Sequence, residues 1–149
     1  VIEYARNVAG IKDATSEEFQ SGGAHLIHYM EGQSDSGTKG GSMRLGSYEC
    51  HLEPKSLAFK VYKSEKIQER HRHRLEVNNM YMKNLTDAGM IVSGFNRELN
   101  LVEVVELADH PFFIACQYHP EFKSKPFSPH PLFKAFIDES DKFTIKNRK

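Results

Sequence analysis

The 149-residue chain has no excess of either charge: Lys and Arg number 20, Asp and Glu 20, and the formal net charge is +0. A neutral chain has no overall field to gather nucleic acid or an anionic membrane, although local patches stay open. It has only 2 cysteines, Cys50 and Cys116, in separate contexts. That argues against a disulfide framework and fits reduced thiols in the cytoplasm. No apolar run approaches the ~20 residues needed to span a bilayer, and no signal peptide is visible. No internal repeat or composition break divides the chain. What is present, 39% hydrophobic and 27% charged residues, is the composition expected of one globular domain with an ordinary core.

The opening stretch VIEYARNVAG also lacks something. Ile2, Ala5, Val8 and Ala9 recur at helical spacing and the pattern stops at Gly10, a common residue just past a helix end. No initiator Met and no Ser, Thr, Asp or Asn cap precedes it. The expectation is a chain that starts inside a helix whose first turn lies upstream.

Beyond Gly10, HLIHYM (25–30) reads as a short strand and EGQSDSGTKGGS (31–42) as a Gly- and Ser-rich loop. MRLGSYECHL (43–52) contains an alternating strand, EPKSLAFKVY (53–62) a short helix, and QERHRHRLEV (68–77) a strand studded with charge. Asn78 or Asn79 is placed to cap a helix through MYMKNLTDA, closed by Gly89. MIVSGF (90–95) and LVEVVEL (101–107) pair as a hairpin around NREL, and FFIACQY (112–118) is the most apolar strand. PHPLFKAFIDES (129–140) reads as an amphipathic helix, and DKFTIKNRK (141–149) as a basic, frayed tail beyond a single domain of residues 1–140. Strands interspersed with helices indicate an α/β fold, its sheet mixed because of the hairpin.

Three stretches invite chemistry. IACQYHPEF (114–122) sets His119 and Glu121 two residues apart, a spacing that lets both leave a strand end on one side. Such a pair suits a base and the carboxylate that holds its tautomer. Cys116, the nearest thiol, lies at an odd separation from His119 and faces the other way in a regular strand; both cysteines are most simply small buried residues. ERHRHRLEV puts Arg70, Arg72 and Arg74 on one face and His71 and His73 on the other if it is extended. Four readings stand: a phosphate or nucleic-acid ladder, a metal site on the histidines, cross-strand ion pairing, or an arginine forked onto a substrate carboxylate. Gly40-Gly41 in TKGGSMRLG allows close backbone approach but lacks the strand–GxGxxG–helix setting of a dinucleotide site. In SEEF (16–19), Thr15 and Glu18 have capping-box spacing, so those carboxylates read as solvated or capping.

Taken in order, VIEYARNV, SEEF, GGSMRLG, ERHRHRLEVNN, VEVVELADHPFF and CQYHPEF closely resemble the glutamine amidotransferase domain of the CTP synthase family, over roughly residues 1–137. RHRHR followed by QYHPEF is the combination specific to that branch of the class I amidotransferases. The resemblance implies a flavodoxin-like mixed sheet flanked by helices, from which the first strands and a Gly-x-Cys-x-Gly nucleophile elbow are missing. It implies that His119 is the triad base, Glu121 its orienter, and Glu18 and Arg74 the binders of substrate glutamine; Arg44, in MRLG, receives no role. It implies no metal and no cofactor in this chain. The full enzyme uses ATP and Mg²⁺, with GTP as activator, on a separate amidoligase (synthetase) partner domain, as a homo-oligomer. Without the elbow cysteine the chain alone is expected to be inactive. The alternative is a non-catalytic module that binds glutamine or docks onto an amidoligase.

Overall fold

The computed structural model describes residues 1–19, 22–29 and 43–147. In chain order its elements are α1 (Ile2–Asn7), β1 (Ala14–Ser16), β2 (Ala24–Tyr29), β3 (Arg44–Leu52), α2 (Leu57–Tyr62), β4 (Lys66–His73), β5 (Leu75–Val77), a 3-10 turn (Asn79–Tyr81), α3 (Met82–Asp87), β6 (Met90–Asn96), β7 (Leu101–Leu107), β8 (Ile114–Cys116), a second 3-10 turn (Pro120–Phe122) and α4 (Pro131–Asn147). The strands form a 3-stranded sheet, β1-β2-β5, and a 5-stranded sheet, β4-β3-β6-β7-β8. β1 runs parallel to β2 and every other pairing is antiparallel, so the small sheet is the mixed one.

Local chemistry explains the helices. Ser56 accepts the Phe59 N–H at 3.0 Å and caps α2. The Leu57 and Ala58 N–H groups, also orphaned at that helix start, donate to the buried carboxylate of Glu106 at 2.9 and 2.6 Å. Asn78 Oδ1 accepts the Met80 N–H at 3.0 Å and opens the turn before α3. Gly89, at φ 102°, closes that helix with a conformation an L side chain rarely takes. β7 lies between two cores. Val102 and Val105 pack with Ala5, Leu26, Val77 and Leu85 on one side, and Val104 packs with Cys50, Ala58, Tyr118 and Leu132 on the other.

Four details differ from the sequence reading. The segment 68–77 is two strands: β4 ends where His73 pairs with Arg44, Arg74 turns the chain, and Leu75 begins a pairing with Tyr29 in the other sheet. The apolar strand 112–118 is only Ile114–Cys116: the Gln117 N–H still reaches β7 at Glu103 O (2.9 Å), but the His119 N–H leaves that ladder and crosses to Arg70 O on β4 (2.8 Å). Thr15 and Glu18 form no capping box, since Thr15 is buried in a strand and the residues after Ser16 turn without entering a helix. Residues 141–147, expected as a frayed tail, continue α4, carried by Lys134–Asp138 and Glu139–Lys142 pairs at helical spacing and by Lys146 in the last turn. The loop reading at 31–42, with Gly40 and Gly41, lies outside the described residues.

Candidate functional site

His119 emerges where the chain leaves β8 for the second 3-10 turn. Pro120, which has no N–H to offer a ladder, stands at the start of that turn. The turn brings Glu121 back under the ring: His119 Nδ1 and Glu121 Oε1 are 2.6 Å apart. The imidazole stacks on Phe122, with centroids 5.1 Å apart and planes inclined by 27°. A backbone N–H bond and His119 hold the Glu121 carboxyl below the usual carboxylate range. With Nδ1–H committed to a carboxylate, Nε2 is the nitrogen left to take a proton.

Glu18 and Arg74 come to one end of the small sheet. The turn after β1 carries Glu17, whose N–H donates to Ile27 O (2.9 Å) and whose carboxylate accepts the Tyr29 N–H (2.9 Å). Glu17 thereby serves the fold, while Glu18 next to it is exposed. Tyr29 is also the residue that pairs with Leu75, immediately after the half-buried Arg74. The turn bearing Glu18 and the residue starting β5 therefore share the sheet end at which β2 finishes. Arg70 and Arg72 are exposed on the outer face of β4 and, with Met43, Leu45 and Phe122, line a cleft of about 660 Å³.

Both thiols are shifted toward the protonated form. Burial, reinforced by the nearby carboxylates of Glu69, Glu121 and Glu103, pushes the Cys116 thiol up to about 12, and its Sγ faces Tyr118 O at 3.5 Å. Burial pushes Cys50 up to about 12 as well. A thiol so held stays protonated and unreactive at neutral pH.

Behind the dyad lies a buried ionic cluster that the sequence reading did not assemble. Arg44 is 3% exposed; its guanidinium bonds Glu103 and reaches Glu76 at 3.4 Å, with its carbon 4.4 Å from the centre of the Tyr48 ring. His71 stands 3.6 Å from Glu103 and His73 3.0 Å from Glu76. The Gln117 amide, with its nitrogen turned inward, donates to Val102 O (3.2 Å) and to Glu76. Burial, with the Arg44 charge next in order, lowers His71 to about 3 and His73 to about 4. Both imidazoles are neutral at pH 7, so their approach to the carboxylates is not ion pairing. Burial raises Glu76 to about 7 and Glu103 in the same direction. No group of three or more His, Cys, Asp or Glu among the described residues is arranged to hold a metal ion. Part of the signal was present in the sequence: Glu103 and Glu106 sit inside the otherwise apolar LVEVVEL, and buried carboxylates require partners, which Arg44 supplies for Glu103 and the start of α2 for Glu106.

The class I profile, described as "Glutamine amidotransferase class-I", matches residues 2–139. The chain is 58% identical over 138 residues to the CTP synthase of Pelobacter propionicus, covering 92% of this chain and 26% of that protein. It is 54% identical over 147 residues to the CTP synthase of Geobacter sulfurreducens, covering 95% of this chain and 27% of that protein. It thus spans about a quarter of the length of these curated relatives. Among solved structures, the glutaminase domain of Trypanosoma brucei CTPS with bound acivicin superposes with a TM-score of 0.85 at 39% identity, covering 95% of this chain and 56% of that one. A putative GMP synthase protein from Thermoplasma acidophilum shares the fold alone, with a TM-score of 0.55 at 17% identity over 72% of this chain and 49% of that one. The chain belongs to the class I glutamine amidotransferase family and matches, within it, the amidotransferase domain of CTP synthases.

Proposed function

We propose that the chain serves as the glutamine-hydrolysing part of a CTP synthase in the cytoplasm, releasing ammonia for a separate amidoligase domain. That domain would use ATP and Mg²⁺ to convert UTP to CTP, with GTP as activator, in a homo-oligomeric enzyme. The observation that carries the reading is the His119–Glu121 contact at 2.6 Å, a base with its orienting carboxylate. His119 Nε2 takes the proton of a cysteine thiol, and the thiolate attacks the glutamine amide carbon. The imidazolium, steadied by Glu121, then gives the proton to the departing ammonia, and water hydrolyses the thioester to glutamate. Arg74 forks onto the substrate α-carboxylate and Glu18 takes the α-ammonium, fixing the amide from the far end of the substrate. Cys50 and Cys116, both pushed up to about 12, do not supply the thiol. The chain by itself is therefore inactive toward glutamine.

The test separates two steps in a CTP synthase carrying this segment. Arg74→Ala removes a charge-assisted fork worth about 1.5–3 kcal/mol and raises KM for glutamine. His119→Ala removes the base and later acid and lowers kcat by ~10²-fold or more with KM little changed. Both leave CTP formation from added ammonia intact. Equal loss of the glutamine- and ammonia-dependent reactions in either variant would show that its residue supports the whole fold and not ammonia release.

A further inference from the structure

A second buried network is centred on Glu69, two residues before His71 on the same inward face of β4. Its side chain points inward from β4 and is 1% exposed. Three groups from three other segments converge on one of its oxygens, Oε1. The Tyr62 hydroxyl, from the end of α2, reaches it at 3.1 Å. His130 Nε2, just before α4, reaches it at 2.9 Å, and Lys123 Nζ, just after the second 3-10 turn, at 3.6 Å. His130 Nδ1 accepts the Leu132 N–H at 3.3 Å, which assigns the ring proton to Nε2 and makes His130 a donor to Glu69. The Tyr62 and Tyr118 hydroxyls are 3.0 Å apart. A hydroxyl has one proton to give; when Tyr62 gives its own to the carboxylate, Tyr118 donates to Tyr62.

These contacts bracket the segment that carries the dyad. Tyr118 immediately precedes His119, and Lys123 follows the turn that carries Glu121. Lys123 also donates to Gln68 O, and the His119 N–H is held by Arg70 O at 2.8 Å. The short stretch from His119 to Phe122 is therefore fastened at both ends to one buried carboxylate and to the β4 backbone on either side of it. The dyad itself is much more open, with His119 and Glu121 side chains 38% and 54% exposed, so its geometry has to be imposed from beneath.

We propose that Glu69, acting through Tyr62–Tyr118 on one side and Lys123 on the other, is the positioning residue that holds His119 against Glu121. This rests on the reading of His119 and Glu121 as base and orienter, and goes beyond it by naming what sets their separation. Glu69 touches no substrate; it acts through the segment it clamps.

The readout is the His119 tautomer in the chain as it stands. With ¹⁵N-labelled histidine at pH 8, imidazole nitrogen shifts report how much His119 carries its proton on Nδ1, as the contact with Glu121 requires. The wild-type chain should show Nδ1–H dominant, and Glu121→Gln, which replaces the carboxylate acceptor, should lose that dominance. Glu69→Gln, which leaves the dyad's own atoms untouched, should lower the Nδ1–H to Nε2–H ratio by about threefold or more, the ratio equivalent of one net hydrogen bond. The amide signals of the β6–β7 hairpin should stay in place. Tyr62→Phe removes one hydroxyl and should move the ratio the same way by less; it decides the matter if Glu69→Gln does not fold. If the wild type itself lacks the Nδ1–H form, the dyad reading fails. If the wild type has it and neither the Glu69 nor the Tyr62 variant changes it, the dyad stands and the positioning role is overturned. A hairpin spectrum that collapses along with the His119 signal in both variants would overturn it too, making Glu69 a support of the whole fold.

Discussion

At the scale of single residues, the two cysteines give the most direct test of whether this chain supplies its own nucleophile. Cys50 and Cys116 are held at about 12 against an ordinary thiol near 8.5, so at pH 8 each has a thiolate fraction roughly a thousandfold smaller than a free cysteine. Iodoacetamide, or a glutamine-analogue electrophile, should leave both unmodified over a period that labels the urea-unfolded chain completely. Fast labelling of Cys116, abolished by His119→Ala, would restore it as a nucleophile. The residues legible in the sequence were those whose signal is local: His119 and Glu121 declare themselves by a two-residue spacing, and the structure brings them to 2.6 Å. Glu69 and Glu103 were not legible in the same way. Glu69 meets Tyr62 seven residues upstream, at the end of a different element, and His130 far downstream, and Glu103 meets the distant Arg44; a carboxylate's sequence neighbours do not say which cation or hydroxyl of another element it will meet.

At the scale of elements, the β6–β7 hairpin shows how tightly the large sheet is packed against its neighbours. A Cβ placed on Gly94 would stand 2.6 Å from Val104 Cγ2, 2.9 Å from Val104 Cβ and 2.9 Å from Cys50 Sγ. The first two atoms belong to a branched side chain buried in the adjacent strand, which has little freedom to retreat. The β6–β7 register also shifts around Gly94, so the residue sits at an irregularity that a side chain would have to accommodate. Gly94→Ala should therefore cost about 1–3 kcal/mol by overpacking, read as a lowered urea midpoint with unchanged slope. Pairing Gly94→Ala with Val104→Ala should recover part of the loss if the clash is the cause. The hairpin, α2, α3 and the strand β2 were readable because each has alternation, a cap or a terminal glycine within its own span. The break at Arg74 was not, because the alternation of charged residues runs through it unchanged; only the pairing of Leu75 with Tyr29 in the other sheet turns one expected strand into two. β1 escaped for the opposite reason: three buried residues, Ala14, Thr15 and Ser16, are too few and too small to show a period.

At the scale of the molecule, the two sheets share no strand, yet a buried charge cluster spans both: Arg44 on β3 bonds Glu103 on β7 and reaches Glu76 on β5. Such a cluster gives up much of its Coulomb attraction to desolvation, so its contribution is better measured by how stability varies with pH than by its presence. His71 and His73 are depressed from 6.5 to about 3 and about 4. Below pH 6.5 the unfolded chain binds protons that the folded chain refuses, so these two groups make stability rise with pH through that window and fall away on acidification. Glu76 is raised from 4.5 to about 7. Between those values the folded chain keeps a proton the unfolded chain has released, so this group makes stability fall as pH rises. The two effects oppose each other from about pH 4.5 to 6.5, and Glu103, raised in the same direction as Glu76, adds to the compensation. Glu76→Gln removes one opposing proton. Its stability should be lower overall, because Arg44 loses a carboxylate, but its slope against pH between 5 and 6.5 should be steeper than wild type by up to one proton, about 1.4 kcal/mol per pH unit. Urea unfolding at half-unit pH steps measures both slopes. Parallel curves for the two proteins would mean that Glu76 is ionised in the folded chain throughout this range, and that the junction between the sheets is a full ion pair with Arg44 instead of a proton-sharing one.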